Sequence, residues 1–213
     1  MAISNDSRTR IKRIFEPIAL GMGRLGLTPD GLTLIGFGIT VVGAILLGLQ
    51  LWLVGGLVVF IGGVFDMFDG TLARATGQVS KLGAFMDSVF DRWGEAVVYI
   101  GIVVGGTMAG SDAVAILAAA ALGAAFMVSY TRAKSEGLGF TAGTGMAAIG
   151  VMPREVRLVI LSLGLVVTGI AGSLLALEIA LGIIALGATV TVIQRILHVR
   201  SQAKSAAANS STK

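Results

Sequence analysis

The sequence predicts an all-α integral membrane protein, and three observations carry that prediction. Mean hydropathy is +0.90. Of the 213 residues, 55% are hydrophobic and only 13% are charged, a balance that leaves too little polar surface for a soluble domain. The basic residues fall in four clusters separated by apolar stretches long enough to cross a bilayer. The absence of cysteine excludes a disulfide framework and a thiolate metal site.

Six spans are predicted, near 31–50, 52–73, 83–108, 112–134, 154–171 and 174–197. Arg8, Arg10, Lys12, Arg13 and Arg24 precede the first span. Arg74, Lys81 and Arg92 lie between or just inside the second and third. Arg132, Lys134, Arg154 and Arg157 flank the link from the fourth to the fifth, and Arg195, Arg200, Lys204 and Lys213 close the chain. These are all 16 Lys and Arg residues. The alternate connections, near Gln50, Gly110 and Gly172, have none. The positive-inside rule therefore places both termini and all four basic regions in the cytoplasm, in a cell (inner or plasma) membrane. Topology accounts for the net charge of +4, so no nucleic-acid partner is implied.

Three regions follow. Residues 1–24 form a cytoplasmic N-terminal segment in which Ile11, Ile14, Phe15 and Ile18 recur at helical spacing among basic residues. An interfacial amphipathic helix on an anionic leaflet and a helix packed on the domain both fit that pattern. The segment has no signal-peptide core, so insertion is expected to use the first span. Thr28-Pro29-Asp30 then supplies an N-cap, a first-turn proline and a first-turn acid. Residues 25–200 form the six-helix membrane domain. Residues 201–213, rich in Ala and Ser, are expected to be a disordered cytoplasmic tail.

Four aspartates mark the functional region. Asp66 and Asp69 end the second apolar run, three residues apart, and Asp87 and Asp91 begin the third, four apart. On helices each pair shares one face, so two adjacent helices can aim four carboxylates at one point. Each buried Asp costs about 2.5–3.5 kcal/mol on an insertion scale, and four cost on the order of 10 kcal/mol. Divalent cations would offset that cost, and hard oxygen ligands suit Mg²⁺, Mn²⁺ or Ca²⁺. An Asp–Arg/Lys network tying helices together is the structural alternative. A cation transporter is the functional one, although its carboxylates would spread along the membrane depth instead of clustering at one end.

The string D-x-x-D-G-x-x-A-R, eight further residues, then G-x-x-x-D-x-x-x-D resembles the signature of the CDP-alcohol phosphotransferases. Asp66, Asp69, Gly70, Ala73, Arg74, Gly83, Asp87 and Asp91 match it without departure. The resemblance implies transfer of a CDP-linked lipid or alcohol to a hydroxyl acceptor with release of CMP. It also implies two Mg²⁺ (or Mn²⁺) ions, one on Asp66, Asp69 and Asp87 and one on Asp66, Asp87 and Asp91, and a homodimer. Asp91 is the candidate general base, with pure metal ligation as the open alternative. Gly70, Ala73, Arg74 and Gly83 would line the nucleotide pocket, with close helix packing a second role for Gly70 and Ala73. Pro29 and Asp30 would approach the nucleotide or simply cap the first span.

Ser129, Arg132, Lys134, Arg154, Arg157 and Arg195 converge by topology on the side that holds the aspartates. Such cations suit an anionic acceptor, and arginine suits bidentate contact with phosphate. Topology and lipid-headgroup anchoring are the alternative explanation. The strings S-Y-x-R-A-K, R-x-x-R-L and Q-R resemble the inositol-phosphate branch of the family, which implies attack of inositol 1-phosphate on CDP-diacylglycerol. Glycerol 3-phosphate as acceptor, giving phosphatidylglycerophosphate, and an archaeal ether-lipid donor are the rival chemistries. The Gly-rich stretch 135–151 reads as a cytoplasmic loop bordering the acceptor pocket.

The topology is open to a direct check. Cysteines introduced near Gln50, Gly110 and Gly172 should react with an impermeant thiol reagent added outside, and those near Lys81 and Ser135 should not. Outside labelling at Lys81 would overturn the cytoplasmic placement.

Overall fold

The computed structural model describes residues 5–140 and 145–210. Among them the chain is helical throughout, with no strand: α1 (Asn5–Arg24), α2 (Pro29–Gly48), α3 (Trp52–Phe65), α4 (Met67–Thr76), α5 (Lys81–Met108), α6 (Asp112–Gly137), a 3₁₀ turn (Met146–Ala148), α7 (Arg154–Ala171) and α8 (Leu175–Ser210).

Local chemistry sets the helix starts. Thr28 Oγ1 accepts the Gly31 amide at 3.1 Å ahead of Pro29, as the sequence predicts. Ser80 accepts the Gly83 amide at 2.9 Å to open α5, and Ser111 caps α6. Gly77, in the left-handed region with φ 69°, ends α4.

Four helical runs are long and apolar enough to cross a membrane: Pro29–Gly48, Trp52–Thr76, Asp112–Gly137 and Leu175–Ser205. The second joins α3 and α4 across a break at Asp66. At about 1.5 Å per residue, neither of these two helices is long enough alone to cross a hydrocarbon core of about 30 Å. The two other predicted spans form as helices but carry more charge. The last 18 residues of α5 include Asp91, Arg92 and Glu95, and the 18-residue α7 opens with Arg154, Glu155 and Arg157. Ile45, Leu57, Ile116, Leu163, Ile170 and Leu186 point outward from the bundle with roughly half or more of their surface exposed, as lipid-facing side chains do.

The six long helical units close into a ring. α2 packs on α3 and α5, α5 on α6, α6 on α8, α8 on α7, and α7 back on α3. Leu47, Val59, Val98, Ile102, Ala118, Leu165, Leu181 and Ile184 fill its centre. Glycine permits the closest crossing. A Cβ on Gly101 would collide with the Ala44 carbonyl, and one on Gly105 with the Leu47 carbonyl, so α5 meets α2 backbone to backbone.

Two expectations change. α1 packs on α4 through Phe15, Ala19 and Met22 against Phe68 and Leu72. Ile18, placed on the same apolar face from sequence, is instead 46% exposed. The face that meets α4 is the 15/19/22 stripe, one residue away, because Phe15 stacks with Phe68 at a centroid distance of 5.1 Å. The side chains of Ile11 and Ile14 lie outside the described residues. The expected disordered tail from 201 is helical as far as Ser210, since α8 continues through Gln202, Ala203 and Lys204, which are good helix formers.

Gly101→Ala should lower thermal stability by the equivalent of about 1–3 kcal/mol, because α2 must move away. Gly123→Ala has open space around it and should leave the melting temperature unchanged or slightly higher. Equal melting temperatures for the two variants in detergent would contradict backbone-to-backbone packing at Gly101.

Candidate active site and metal centre

The break at Asp66 and the start of α5 bring the aspartates together. Carboxylate oxygens of Asp66, Asp69 and Asp87 all lie within 4.8 Å of one another. Asp69 is 6% exposed. The Thr33 hydroxyl of α2 donates to its Oδ2, and the Gly70 amide donates to its Oδ1. Both bonds orient the carboxylate toward its two neighbours. Three hard oxygen donors at this separation, with no nitrogen or sulfur ligand beside them, fit a divalent cation of the Mg²⁺/Mn²⁺ class.

Asp91, the fourth expected carboxylate, adjoins this trio on the Asp66 side. Arg154 Nη1 lies 2.7 Å from Asp66 Oδ2 and 2.6 Å from Asp91 Oδ1, so one guanidinium bridges the two acids. Arg92 Nη2 holds Asp91 Oδ2 at 3.0 Å, and its Nη1 donates to Ser129. The two arginines relieve the repulsion among the clustered carboxylates.

Two hollows meet at Asp87. The first, about 670 Å³ including its open mouth, is lined by Pro29, Asp30, Thr33, Asp69, Gly70, Ala73, Arg74, Gly83 and Asp87. Every nucleotide-binding candidate except Asp66 therefore lines one cavity. The nearest atoms to a Cβ on Gly70 would be those of the Arg74 guanidinium, at 3.1 Å, so a side chain there would press on an arginine that lines the same hollow. Gly83 brings the start of α5 up to Asp30.

The second hollow, about 1150 Å³ including its open mouth, is lined by Asp87, Asp91, Arg92, Ser129, Arg132, Arg154, Arg157 and Arg195, among others. Lys134 is not among them. It lines a neighbouring hollow with Tyr130, Ser135 and Phe140, sharing only Arg195 with the arginine-rich one. On α6 the side chain two residues beyond Arg132 points to a different face.

The arginines differ in what they hold. Arg157 is 2% exposed and fully engaged: Nε and Nη2 grip Glu95 at 2.7 and 2.8 Å, and Nη1 donates to the Met152 carbonyl at 2.9 Å. Arg132 pairs with Glu136 at 3.0 Å near the surface. Arg195, 4% exposed, donates to the carbonyls of Ile149 and Val128 and has no carboxylate partner among the described residues. The Ile149 contact ties Arg195 to the connection between α6 and α7, which is shorter than the expected 135–151 loop because α6 continues to Gly137. Residues 141–144 of that loop lie outside the described residues.

Sequence reasoning missed Thr33, Arg92, Glu95 and Glu136. Glu95 was readable, because Asp87, Asp91 and Glu95 recur every four residues on one helix face. Glu136 follows Arg132 at the same spacing. Thr33 and Arg92 carried no such signal.

The comparisons with known proteins agree with this geometry. The family model for CDP-alcohol phosphatidyltransferase matches residues 26–193. An archaetidylinositol phosphate synthase of Pyrococcus horikoshii is 34% identical over 195 residues, 92% of this chain and 95% of its own. A phosphatidylinositol phosphate synthase of Streptomyces avermitilis is 32% identical over 94% of this chain and 83% of its own. The crystal structure of the Mycobacterium tuberculosis phosphatidylinositol phosphate synthase with CDP-DAG bound superimposes with a TM-score of 0.78 at 31% identity, covering 88% of this chain and 94% of that one. The same enzyme with manganese and citrate gives a TM-score of 0.77 at 30% identity, over 87% of this chain and 88% of that one. With the eight-position signature and a carboxylate cluster compatible with a divalent cation, the chain belongs to the CDP-alcohol phosphatidyltransferase family.

Proposed function

We propose that this protein transfers the phosphatidyl group of CDP-diacylglycerol to a hydroxyl of inositol 1-phosphate, giving phosphatidylinositol phosphate and CMP. The observation that carries this reading is the pair of hollows that meet at Asp87, one lined by the nucleotide signature and the other by five arginines. The first suits the CDP moiety. The second suits a small acceptor bearing a phosphate. The names of the relatives support the acceptor, since the archaeal and bacterial enzymes alike are inositol phosphate lipid synthases. They differ in the lipid, so an ether-linked donor is the second reading, favoured by the Pyrococcus relative.

Asp66, Asp69, Asp87 and Asp91 would hold two Mg²⁺ or Mn²⁺ ions, which supply charge neutralisation to the CDP diphosphate. Thr33 and the Gly70 amide keep Asp69 oriented for that task. Arg74, folded over Gly70, lies where it can meet the nucleotide half of the donor. The acceptor hydroxyl attacks the lipid-proximal phosphorus as the phosphoanhydride bond to CMP breaks. Asp91 lines the acceptor hollow and not the nucleotide hollow, which supports its role as the base that takes the hydroxyl proton. Ser129, Arg132, Arg154 and Arg195 would receive the acceptor, Arg195 foremost because no carboxylate neutralises it. Arg157 would act through the rigidity of its Glu95 pair, and Lys134 from the adjoining hollow.

The six-span topology with a cytoplasmic site belongs to the same proposal. It is supported by the closed ring of six helical units and by the basic clusters at one end. The 1–24, 25–200 and 201–213 division is kept, with the last segment helical to Ser210. An interfacial role for α1 is compatible with its exposed Ile18, and the homodimer rests on the family resemblance.

Chelation should abolish CMP release, and Mn²⁺ should restore it. Asp66→Asn and Asp87→Asn should lose Mn²⁺ binding and turnover together. Full turnover after exhaustive chelation would exclude the metal-dependent reading.

The acceptor is settled by supplying the purified protein with CDP-diacylglycerol and one acceptor at a time, following CMP. Inositol 1-phosphate should be used well and free inositol poorly. Preference for glycerol 3-phosphate would change the product to phosphatidylglycerophosphate. Arg195→Ala should raise the KM for inositol phosphate about tenfold to a hundredfold, with the CDP-lipid KM nearly unchanged, as loss of a charge-assisted contact worth about 1.5–3 kcal/mol requires. Arg157→Ala should instead lower thermal stability, because it leaves Glu95 buried without its partner.

A further inference from the structure

Five arginines line the acceptor hollow, yet four of them are already ion-paired within the chain. Arg92 holds Asp91, Arg132 holds Glu136 and Arg157 holds Glu95. Arg154 is the fourth; it shares Asp91 with Arg92, and it is the one of the four that bridges two acids. Glu95 and Glu136 belong to the acceptor side, whereas Asp66 and Asp91 belong to the carboxylate cluster proposed to carry the ions. A guanidinium nitrogen within 2.7 Å of one carboxylate and 2.6 Å of another sits where a cation shared by Asp66 and Asp91 would sit. Arg154 and such a cation cannot occupy that point together.

Charge arithmetic gives the consequence. Two divalent ions neutralise four carboxylates. With both ions bound, the Arg154 charge has no remaining counter-charge in the cluster. Arg154 also lines the acceptor hollow, so its guanidinium can turn into that space while its backbone stays fixed at the start of α7. There it would add a cation beside Arg195, the one lining arginine not already paired with a carboxylate of the described chain.

We propose that Arg154 is a tethered cation that holds the place of one divalent ion between Asp66 and Asp91. Loading that ion turns the guanidinium into the acceptor hollow, so the metal and the anionic acceptor bind with positive coupling. This rests on the two-ion, anionic-acceptor reading above. It adds an order to the site: the arginine pocket is only partly charged until the metal centre is complete. By linkage the acceptor must tighten metal binding by the same factor.

The test is Mn²⁺ binding to the purified full-length protein in detergent, followed by calorimetry and by the paramagnetic signal of free Mn²⁺, without lipid donor. In the parent protein, inositol 1-phosphate should tighten the weaker Mn²⁺ step by about fivefold or more, the lower end of ordinary coupling between sites. Arg154→Gln should bind that Mn²⁺ at least about fivefold more tightly than the parent in the absence of any acceptor, and most of the acceptor effect should vanish. An arginine that only contacts the acceptor would leave acceptor-free Mn²⁺ affinity unchanged, and that result overturns the proposal. Coupling that persists undiminished in Arg154→Gln also overturns it, because an acceptor phosphate ligating the ion would then suffice. Arg154→Lys keeps the charge and should retain the weak acceptor-free step, and if Arg154→Gln fails to fold, the parent titration still decides, since no coupling there ends the idea. Coupling by glycerol 3-phosphate and not by inositol 1-phosphate would leave the tethered cation standing and remove only the inositol assignment.

Discussion

Carboxylates a few ångströms apart repel one another, and in an apolar helix ring little water is present to relieve them. The arrangement of Asp66, Asp69, Asp87 and Asp91 therefore depends on cations and hydrogen-bond donors standing close by. Arg154 and Arg92 supply the positive charge, and Thr33 and the Gly70 amide supply the bonds. Much of the surrounding structure serves this requirement. The helical run from Trp52 to Thr76 breaks at Asp66, α5 carries Asp87 and Asp91 beyond an acid-free first turn, and α7 opens with Arg154 reaching back to the cluster. These are also the reasons why α5 and α7 carry more charge than the other long helices.

The ring must be rigid for such a cluster to keep its geometry. Gly101 and Gly105 let α5 approach α2 until backbone meets backbone, and Gly62 does the same for α3 against the Thr40 region of α2. Close packing of this kind fixes the helices that carry Thr33, Asp66 and Asp87 relative to one another. Without a hydrophobic driving force between helices in lipid, contact area and shape hold the assembly together. The buried pair of Arg157 and Glu95 then locks α7 to α5 below the cluster. Breaking one partner of such a pair strands the other, so it constrains geometry more than it adds stability.

The two hollows divide the chemistry as the aspartates divide. Asp69 faces the nucleotide side, Asp91 the arginine side, and Asp87 both. A group transferred between two substrates has to pass the residue common to both cavities. The proposed reaction has that form, with donor and acceptor on opposite sides of Asp87. Arg154 lines the arginine side and reaches Asp66 and Asp91, which is the position the proposed coupling requires.

Hydropathy, the basic clusters and the spacing of four aspartates were enough to read an all-helical membrane protein and the family signature from residue order alone. Each of these is a local or periodic property, so residue order carries it. The nucleotide hollow was legible for the same reason, since nearly all of its residues fall in one signature and the cap before it. The arginine side was not. Sequence placed Arg132, Lys134, Arg154, Arg157 and Arg195 at one end of the bundle but could not say what each would hold. Only the packing of α5, α6, α7 and α8 decided that Arg157 spends its charge on Glu95, that Lys134 turns to another hollow and that Arg154 reaches the aspartates. Long side chains from separate helices choose partners by distance and desolvation, and neither quantity exists until the helices are in place.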